Sequence, residues 1–304
     1  MAKAPSNPTS GVLLVDKPQG ITSHDAVART RKAIGTRRVG HAGTLDPMAT
    51  GLLVLGVNGA TRLLTWVVGL DKEYTATIRL GAGTNTDDAD GELGPRSETG
   101  SVTDAAIAEG IAHLTGSILQ RPSSVSAIKV DGRRAYALAR GGEEVVLPER
   151  PVTVWEFEVL ESRRSDWIDL DVRVVCSSGT YIRALARDLG ESLAVGGHLT
   201  ALRRTRIGPF GVAEASGLEA EDLPHLADRM LRPAAVASSL FERLDLSADA
   251  AEALAHGKRI ALGETGGGIL AAVAPDGRLV GLVENVGGRA HIRVNFPEEK
   301  GAAE

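Results

Sequence analysis

The stretch RVGHAGTLDPMATGLLVLGV, residues 38–57, confines a single carboxylate, Asp46, between Leu45 and Pro47. Glycines at positions 40, 43 and 51 permit tight turns, and the apolar residues 52–55 anchor the segment in a buried core. An isolated Asp-Pro pair is most often a turn, and helix cap, metal ligand and nucleophile are the other roles open to such a carboxylate. The glycines and the anchored base favour a loop that presents Asp46 to a ligand.

Patterned segments on both sides of this loop predict regular structure. Residues 11–35 predict a buried strand, a turn around Pro18 and Gly20, and a helix capped by Ser23 and stopped at Gly35. Apolar alternation predicts two strands with one buried face each, in EYTATIRL from residue 73 and in WIDLDVRVVC from residue 167. The following SSGTYIRALARDLGESL has helical spacing and places Arg183 in the first turn of a helix.

The C-terminal segment predicts a small β domain of about 60 residues. A helix capped by Ser247 precedes three apolar strands, which are separated by a turn at residues 275–277 and a break at residues 286–288. We expect disordered tails at 1–10 and 299–304, a catalytic domain at 11–235 with an exposed basic excursion at 121–150, and a second domain at 240–298.

Composition indicates an ordinary globular protein of about two domains, with 304 residues, 43% of them hydrophobic and 24% charged. The first ten residues lack the apolar core of a secretory signal, and no run reaches the roughly 18 apolar residues of a membrane span. The lone Cys176 excludes an intramolecular disulfide. These features predict a cytoplasmic protein.

Net charge alone argues against a nucleic-acid binder, because 34 Lys plus Arg against 39 Asp plus Glu give −5. Local clusters can override that balance, since binding responds to the field at the contact surface. A solvated basic face without a partner is the alternative for each cluster. The clusters are Arg29, Arg31, Lys32, Arg37 and Arg38; Lys129, Arg133, Arg134 and Arg140; and Arg203, Arg204 and Arg206.

Several common sites are excluded by spacing. The chain has no phosphate-binding P-loop, no strand-linked G-x-G-x-x-G, no H-E-x-x-H and no G-x-S-x-G. TNTDDADGELGPRS resembles a calcium loop, but Ser97 falls at position 12, where an EF-hand needs a carboxylate. Nucleotide cofactors and metal sites are therefore not indicated.

Five motifs resemble the bacterial tRNA pseudouridine synthase B family, which modifies the T-loop uridine at position 55 of tRNA. They are DKPQGITS, HAGTLDPMATGLL, DKEYTA, SAIKVDGRRAY and GTYIRALARDLG, within residues 11–210. The resemblance implies an α+β fold with a mixed, mainly antiparallel sheet flanked by helices, the pseudouridine synthase fold, and a small C-terminal β-rich PUA-like domain. Two departures are Asn85, where Asp is frequent, and Ser123, where a second proline is common.

The resemblance also implies the chemistry. Asp46 matches the family's catalytic nucleophile, for which a carboxylate adds to the sugar or base or promotes elimination to a glycal; the sequence does not choose between these routes. Tyr74 matches the active-site tyrosine, and Arg183 matches an arginine that pairs with the nucleophile and keeps it ionised. Asp88 matches an acid that holds this arginine. Isomerisation implies no cofactor and no metal.

Further positions correspond to substrate contacts. Tyr181 and Leu202 match residues that line the uracil pocket, and His41 matches the residue that fills the space left by flipped nucleotides. Lys17 and Lys129 suit contacts to backbone phosphates of the tRNA T arm. We expect a monomer without a membrane or protein partner.

Two other functions stay open on the residues alone. A non-catalytic tRNA-binding or folding chaperone would use the same basic clusters. A small-molecule lyase or hydrolase with one Asp would need a second acid or base in the loop, and the loop sequence offers none. Intact Asp46, Tyr74 and Arg183 favour the isomerase.

Overall fold

The computed structural model describes residues 10–123, 129–130, 133–134, 147–262 and 267–297, with backbone only at 129–130 and 133–134. The helices are α1 (Ser23–Ile34), α2 (Leu64–Val68), α3 (Asp104–His113), α4 (Ile182–Ser192), α5 (Pro233–Leu240) and α6 (Ala248–Ala255). The strands are β1 (Gly11–Lys17), β2 (Val39–His41), β3 (Thr50–Val57), β4 (Lys72–Leu80), β5 (Gly116–Gln120), β6 (Lys129–Val130), β7 (Arg133–Arg134), β8 (Arg150–Arg164), β9 (Ile168–Cys176), β10 (Gly197–Ile207), β11 (Phe210–Gly211), β12 (Glu242–Asp245), β13 (Ile269–Val273), β14 (Leu279–Val286) and β15 (Arg289–Asn295).

These elements form two compact units, and each unit is built from more than one stretch of chain. The first contains the residues up to Asp46, then Leu52–Val68, then those from Pro209 onward. The second contains Pro47–Gly51 and Gly69–Gly208. The predicted tails, apart from Ser10, and most of the predicted excursion at 121–150 lie outside the described residues.

In the first unit, β1 lies beside β3, and β2 pairs antiparallel with β3, so that His41 is opposite Leu55. The other edge of β1 is covered by later chain, through bridges from Val12 to Leu231 and from Val15 to Ser216. Helix α1 packs on these strands, because its apolar residues share one face. The resulting core contains Leu13, Val15, Ala26, Val27, Ile34, Val39, Leu53, Leu55, Val57, Leu218 and Leu226.

Helix α1 corrects one prediction, because its N-cap is Thr22 and not Ser23. The Thr22 hydroxyl accepts from Asp25 N at 3.1 Å, and the Asp25 carboxylate accepts from Thr22 N at 2.9 Å. This reciprocal capping box needs an acidic or amide side chain three residues after the cap, which Thr22 has in Asp25 and Ser23 lacks. The helix ends at Gly35 as predicted, where φ is +74°.

The second unit is built on an antiparallel sheet in the order β10-β4-β9-β8-β5. The two predicted alternating strands are β4 and β9, and Tyr74 is flanked by Arg204 on β10 and Val174 on β9. Helix α4 packs closely on the start of β10: a Cβ at Gly190 would lie 2.2 Å from the backbone of Gly197. The helices and strands of the protein have a mixed α+β arrangement with a mainly antiparallel sheet, which confirms the predicted fold class.

The face of this sheet opposite to Tyr74 carries paired charges. Arg79 binds Asp169 at 2.7 Å, and Arg173 binds Glu73 at 2.8 Å. Hydrogen bonds from Thr205 and Arg173 lower the pKa of Glu73, although desolvation, the largest contribution, opposes them. These pairs allow charged side chains to be half-buried on a sheet face.

The C-terminal β domain belongs to the first unit and has strand order β12-β13-β14-β15. Ser247 caps α6 by accepting from Ala250 N at 3.2 Å, as predicted. The three predicted strands are β13, β14 and β15, and Gly277, with φ at +83°, makes the first turn. The short strand β12, parallel to β13, was not predicted. Among the described residues, no helix combines the length and apolar character needed to cross a bilayer.

Candidate active site

The Asp46 loop leaves β2 after His41 and enters β3 at Thr50. Its start is fixed by a hydrogen bond from Ala42 N to Val54 O at 2.9 Å, and Gly43 follows with φ at +93°, a conformation that favours glycine. Leu45 is buried and Asp46 is half-buried. The buried leucine therefore anchors the loop directly before the carboxylate.

Ser23 on α1 contacts the backbone of this loop twice. Its hydroxyl accepts from Leu45 N at 2.9 Å and donates to Leu45 O at 3.1 Å. Both residues are buried, and both hydrogen bonds are made within the first unit. Ser23 was predicted as a helix cap, and this contact was not predicted; the capping pattern at Thr22 and Asp25, which leaves the Ser23 hydroxyl free of that role, was the available signal.

His41 lies on β2 and packs edge-on against His24 in the first turn of α1. The two ring centroids are 5.6 Å apart with an interplanar angle of 78°. His24 is exposed and His41 half-buried. The structure thus places a pair of imidazoles at the start of the Asp46 loop, where the sequence indicated only one.

Lys17 is buried in the first unit and donates to backbone carbonyls. Its side chain is 0% exposed, and Nζ donates to Pro18 O at 2.9 Å and to Ile21 O at 2.8 Å. The ammonium group therefore holds the turn before α1, since three donors of a buried lysine need acceptors. The role described by these contacts is structural, within the DKPQGITS motif, and the phosphate contact of Lys17 stays a prediction.

Arg183 and Asp88 form a buried ion pair in the second unit. Arg183 Nε lies 3.4 Å from Asp88 Oδ2, with the side chains 3% and 6% exposed. Arg183 Nη1 also donates to Thr86 O at 2.8 Å. Arg183 is in the first turn of α4, as predicted, and the expected acid is at its side.

The loop that carries Asp88 is held by its own polar side chains. Asp88 Oδ1 accepts from Thr86 Oγ1 at 2.6 Å and from Asp90 N at 3.1 Å. Asn85 Oδ1 accepts from Glu92 N at 2.9 Å, so this departure from the family pattern supplies an acceptor that an Asp would also supply. The oxygen atoms of the segment that resembles a calcium loop are thus engaged in hydrogen bonds within the loop and in contacts with Arg183.

Tyr74 and Leu202 lie on adjacent strands and on one face of the sheet. Tyr74 is 7% exposed and opposite Arg204, and Leu202 is opposite Ala76, two residues further along β4. Arg204 is 1% exposed, and Arg206 binds Asp71 at 2.6 Å. Two members of the basic cluster at 203–206 are therefore engaged in intramolecular contacts, contrary to a role as a free RNA-binding cluster.

Tyr181 is the N-cap residue of α4, and its backbone is held by the buried side chain of Gln120. Gln120 Nε2 donates to Tyr181 O at 3.0 Å, and Gln120 Oε1 accepts from Tyr181 N at 2.8 Å. The Arg150 guanidinium lies 5.5 Å from the centroid of the Tyr181 ring. Sequence analysis missed Gln120, and a glutamine at the end of a short strand gave no signal for it.

The remaining candidate, Lys129, lies on β6, which pairs with β7 in a two-stranded hairpin. Its side chain lies outside what the structure describes. Its proposed phosphate contact stays a prediction.

Comparisons with known proteins place the whole chain in context. A model described as "TruB family pseudouridylate synthase (N terminal domain)" matches residues 31–182, and "tRNA pseudouridylate synthase B C-terminal domain" matches residues 183–237. A third, "tRNA Pseudouridine synthase II, C terminal", matches residues 241–297. Together they cover the sequence from α1 to the last described strand.

Curated relatives are similar over nearly their full length. The tRNA pseudouridine synthase B of Leifsonia xyli subsp. xyli is 60% identical over 298 residues, which is 96% of this chain and 98% of that protein. The protein of the same name from Arthrobacter sp. is 54% identical over 294 residues, which is 92% of this chain and 94% of that protein.

Solved structures share the fold. A chain in a Cbf5-Nop10-Gar1 complex has a TM-score of 0.69 and 26% identity, and the match covers 94% of this chain and 85% of that chain. A chain in an H/ACA RNP bound to a substrate RNA containing 2'-deoxyuridine has a TM-score of 0.70 and 24% identity, with 95% of this chain and 86% of that chain covered.

Proposed function

The chain belongs to the TruB family of pseudouridylate synthases and is an isomerase that converts uridine to pseudouridine in tRNA; we propose that its target is position 55 of the T loop and that Asp46 is its nucleophile. The observation that carries the activity is the 60% identity to a tRNA pseudouridine synthase B across 96% of this chain. The choice of Asp46 is supported by the residue directly before it, Leu45, which is buried and has both its N–H and its carbonyl hydrogen-bonded to Ser23.

The reaction exchanges one bond of uracil for another without a group donor. The N1–C1′ bond breaks, the detached uracil rotates, and C5 joins C1′. The hydrogen at C5 is lost as a proton, and N1 gains a proton, so that atoms and charge balance. Asp46 assists the cleavage by addition to the sugar or base, or by promoting elimination to a glycal.

We propose Arg183 as the cationic residue that keeps the Asp46 carboxylate ionised. Support comes from the second unit alone, where the buried guanidinium is held by Asp88 and by the carbonyl of Thr86. Its place in the first turn of α4 adds the positive end of the helix dipole. Tyr74, nearly buried on β4, is proposed to stack on the extruded uracil, with Leu202 and Tyr181 beside it.

A uridine in a folded T loop has to be extruded, at a cost of a few kcal/mol in lost stacking and pairing. We propose that His41 occupies the vacated space, supported by the edge-on contact with His24 that restricts its ring. The tRNA T arm is the proposed partner, bound by a monomeric protein in the cytoplasm. Lys129 is proposed to contact phosphate.

The test is to incubate the purified protein with an unmodified tRNA transcript and map pseudouridine. The expected product is at position 55, absent with Asp46→Asn and absent with a transcript carrying cytidine at that position. Binding of tRNA by Asp46→Asn should match wild type, because phosphate and stacking contacts supply the affinity. Product at another uridine would overturn the site, and activity of Asp46→Asn would overturn the nucleophile.

A further inference from the structure

Ser23 is the one described residue seen to hold both backbone groups of the residue directly before Asp46. Its hydroxyl lies 2.9 Å from Leu45 N and 3.1 Å from Leu45 O. A hydroxyl has one donor and two acceptor sites, so a single serine can make both bonds. Because Leu45 is buried, loss of the Ser23 hydroxyl removes the described partner of both its backbone groups at a site where an unmade hydrogen bond is costly.

The consequence for Asp46 follows from the peptide geometry. The Leu45 carbonyl belongs to the same planar group as Asp46 N and Asp46 Cα, and the Leu45 amide belongs to the preceding plane. Two hydrogen bonds to one side chain therefore fix both planes that flank Leu45. The plane that contains the Leu45 carbonyl also contains Asp46 N and Asp46 Cα, so fixing this plane sets the position of the Asp46 Cα.

Helix α1 gives this contact a rigid base. Its capping is done by Thr22 and Asp25, which leaves the Ser23 hydroxyl available for the loop. Ser23 itself is 1% exposed, and Ala26 and Val27 in the following turn belong to the core of the first unit. A catalytic group gains from support of this kind, because a displacement of about 1 Å can cost on the order of 100-fold in rate.

We infer that Ser23 is a positioning residue that sets the Asp46 carboxylate for the chemical step, an inference that rests on the proposed role of Asp46. It acts through the Leu45 peptide and touches no reacting atom. Its loss should slow the chemistry and leave the binding of tRNA unchanged.

The test compares full-length Ser23→Ala with a matched loss of a hydroxyl elsewhere on α1. Thr30 is 0% exposed, and its hydroxyl donates to Ala26 O at 2.9 Å, within the helix. Thr30→Val is therefore the control for a buried hydroxyl of purely structural effect. The readouts are thermal unfolding, the dissociation constant for a tRNA transcript, and the single-turnover release of tritium from C5-labelled uridine.

For Ser23→Ala we expect a single-turnover rate roughly 10- to 100-fold below wild type with an unchanged dissociation constant. Thr30→Val should keep the wild-type rate at a similar loss of thermal stability. Ser23→Thr should restore most of the rate, and Ser23→Cys, a weaker hydrogen-bonding group of similar size, should fall between Thr and Ala. The cysteine variant takes the place of Ser23→Ala if the latter does not fold.

A wild-type rate in Ser23→Ala would overturn the inference. The inference would also be overturned if Thr30→Val lost rate to the same extent as Ser23→Ala for the same loss of thermal stability. A third contrary result would be weaker binding of tRNA by Ser23→Ala with an unchanged single-turnover rate. Absence of tritium release from the wild-type protein would contradict the proposed function instead, so the two failures are distinguishable.

Discussion

Two cationic side chains of the second unit, Arg183 and Lys72, are buried. Arg183 is paired with the Asp88 carboxylate in a buried site, and Lys72 lies 5% exposed at the start of β4 with Nζ donating to Leu70 O at 2.6 Å. Substitution tests the contribution of the Arg183–Asp88 pair, and a change of pH tests that of Lys72.

Replacing Asp88 by Asn should destabilise the protein by about 3 kcal/mol, because it leaves the buried Arg183 without this carboxylate partner. Chemical denaturation with urea measures the loss. The exposed neighbour Asp90 is the control, and Asp90→Asn should change stability by less than about 0.5 kcal/mol. Equal stability of the two variants would contradict a stabilising role of the Arg183–Asp88 pair.

Lys72 should make stability rise with pH above 8. Burial, aided by the charge of Arg204, lowers its pKa to about 8 from 10.5. Between these values the unfolded chain binds more protons than the folded one, so raising the pH favours folding, by up to about 1.4 kcal/mol per pH unit. Below pH 8 both states are charged and the full penalty of the buried ammonium remains.

Urea unfolding at pH 7, 8, 9 and 10 checks this against Lys72→Met, which lacks the titration. Wild type should gain stability relative to the variant from pH 8 to pH 10. Burial raises the pKa of Cys176 to about 11, which opposes the gain above pH 9. Because Lys72 and Cys176 also interact with each other, the interval from pH 8 to pH 9 gives the cleanest comparison. Parallel pH curves would contradict the titration.

Sequence patterns predicted the location of some site residues and not the burial of others. Tyr74 was placed on a strand and Arg183 in a first helical turn by periodicity, because period and face depend on neighbours in sequence. Lys17 was expected to contact phosphate and Arg204 was counted in a basic cluster, and the structure shows both side chains buried. Their burial depends on contacts with distant segments, about which a count of basic residues carries no information.

At the scale of elements, the start of α4 has a support that resembles the one before Asp46. Gln120 on β5 bonds both N and O of Tyr181, two residues before Arg183. In each case one buried polar side chain fixes the backbone just before a proposed catalytic residue. The first turn of α4 should therefore be as well ordered as the middle of the helix.

Gln120→Leu should destabilise the protein by about 2 kcal/mol and speed hydrogen exchange in the first turn of α4, because the half-buried Tyr181 N loses its described acceptor. Exchange followed by mass spectrometry over residues 181–185 provides the measurement. Ser117→Ala, at an exposed position on the same strand, is the control. Unchanged exchange in Gln120→Leu would show that the helix start is held without Gln120.

Elements with regular alternation, β4 and β9, were predictable from sequence, and so was α4. Strand β10 was not, since its inward positions include Leu202 and the charged Arg204, which breaks the apolar alternation. Strand β12 is four residues long and mostly exposed, and it exists because β13 supplies a partner. Such strands depend on pairing more than on their own composition.

At the scale of the whole molecule, the C-terminal β domain is part of the first unit. The Trp66 and Phe241 rings meet edge-on with centroids 5.3 Å apart, and Arg62 Nη1 donates to Asn295 O at 2.7 Å. The sequence predicted consecutive domains at 11–235 and 240–298, and that division stays a prediction. Contacts between distant segments, which no local pattern reports, produce the interleaved units.

Deleting residues 241–304 should lower the urea midpoint of the remaining chain and shift Trp66 fluorescence to longer wavelength, because the ring loses its aromatic neighbour, a contact of about 1 kcal/mol beyond area burial. Replacing Trp155 and Trp167 by Phe isolates the signal. Phe241→Leu in the full chain serves as a milder comparison. A truncated chain with the wild-type midpoint would show that the C-terminal domain is an independent module.

The edge of β1 has a consequence for synthesis on the ribosome. Val12 and Val15 pair with Leu231 and Ser216, which emerge about 200 residues later, or roughly ten to forty seconds at bacterial elongation rates. During that time this edge of β1 lacks the segments that cover it, although β3, which lies along the other edge, has already been made. Pauses in translation before residue 231 should therefore reduce the yield of native protein more than pauses after it.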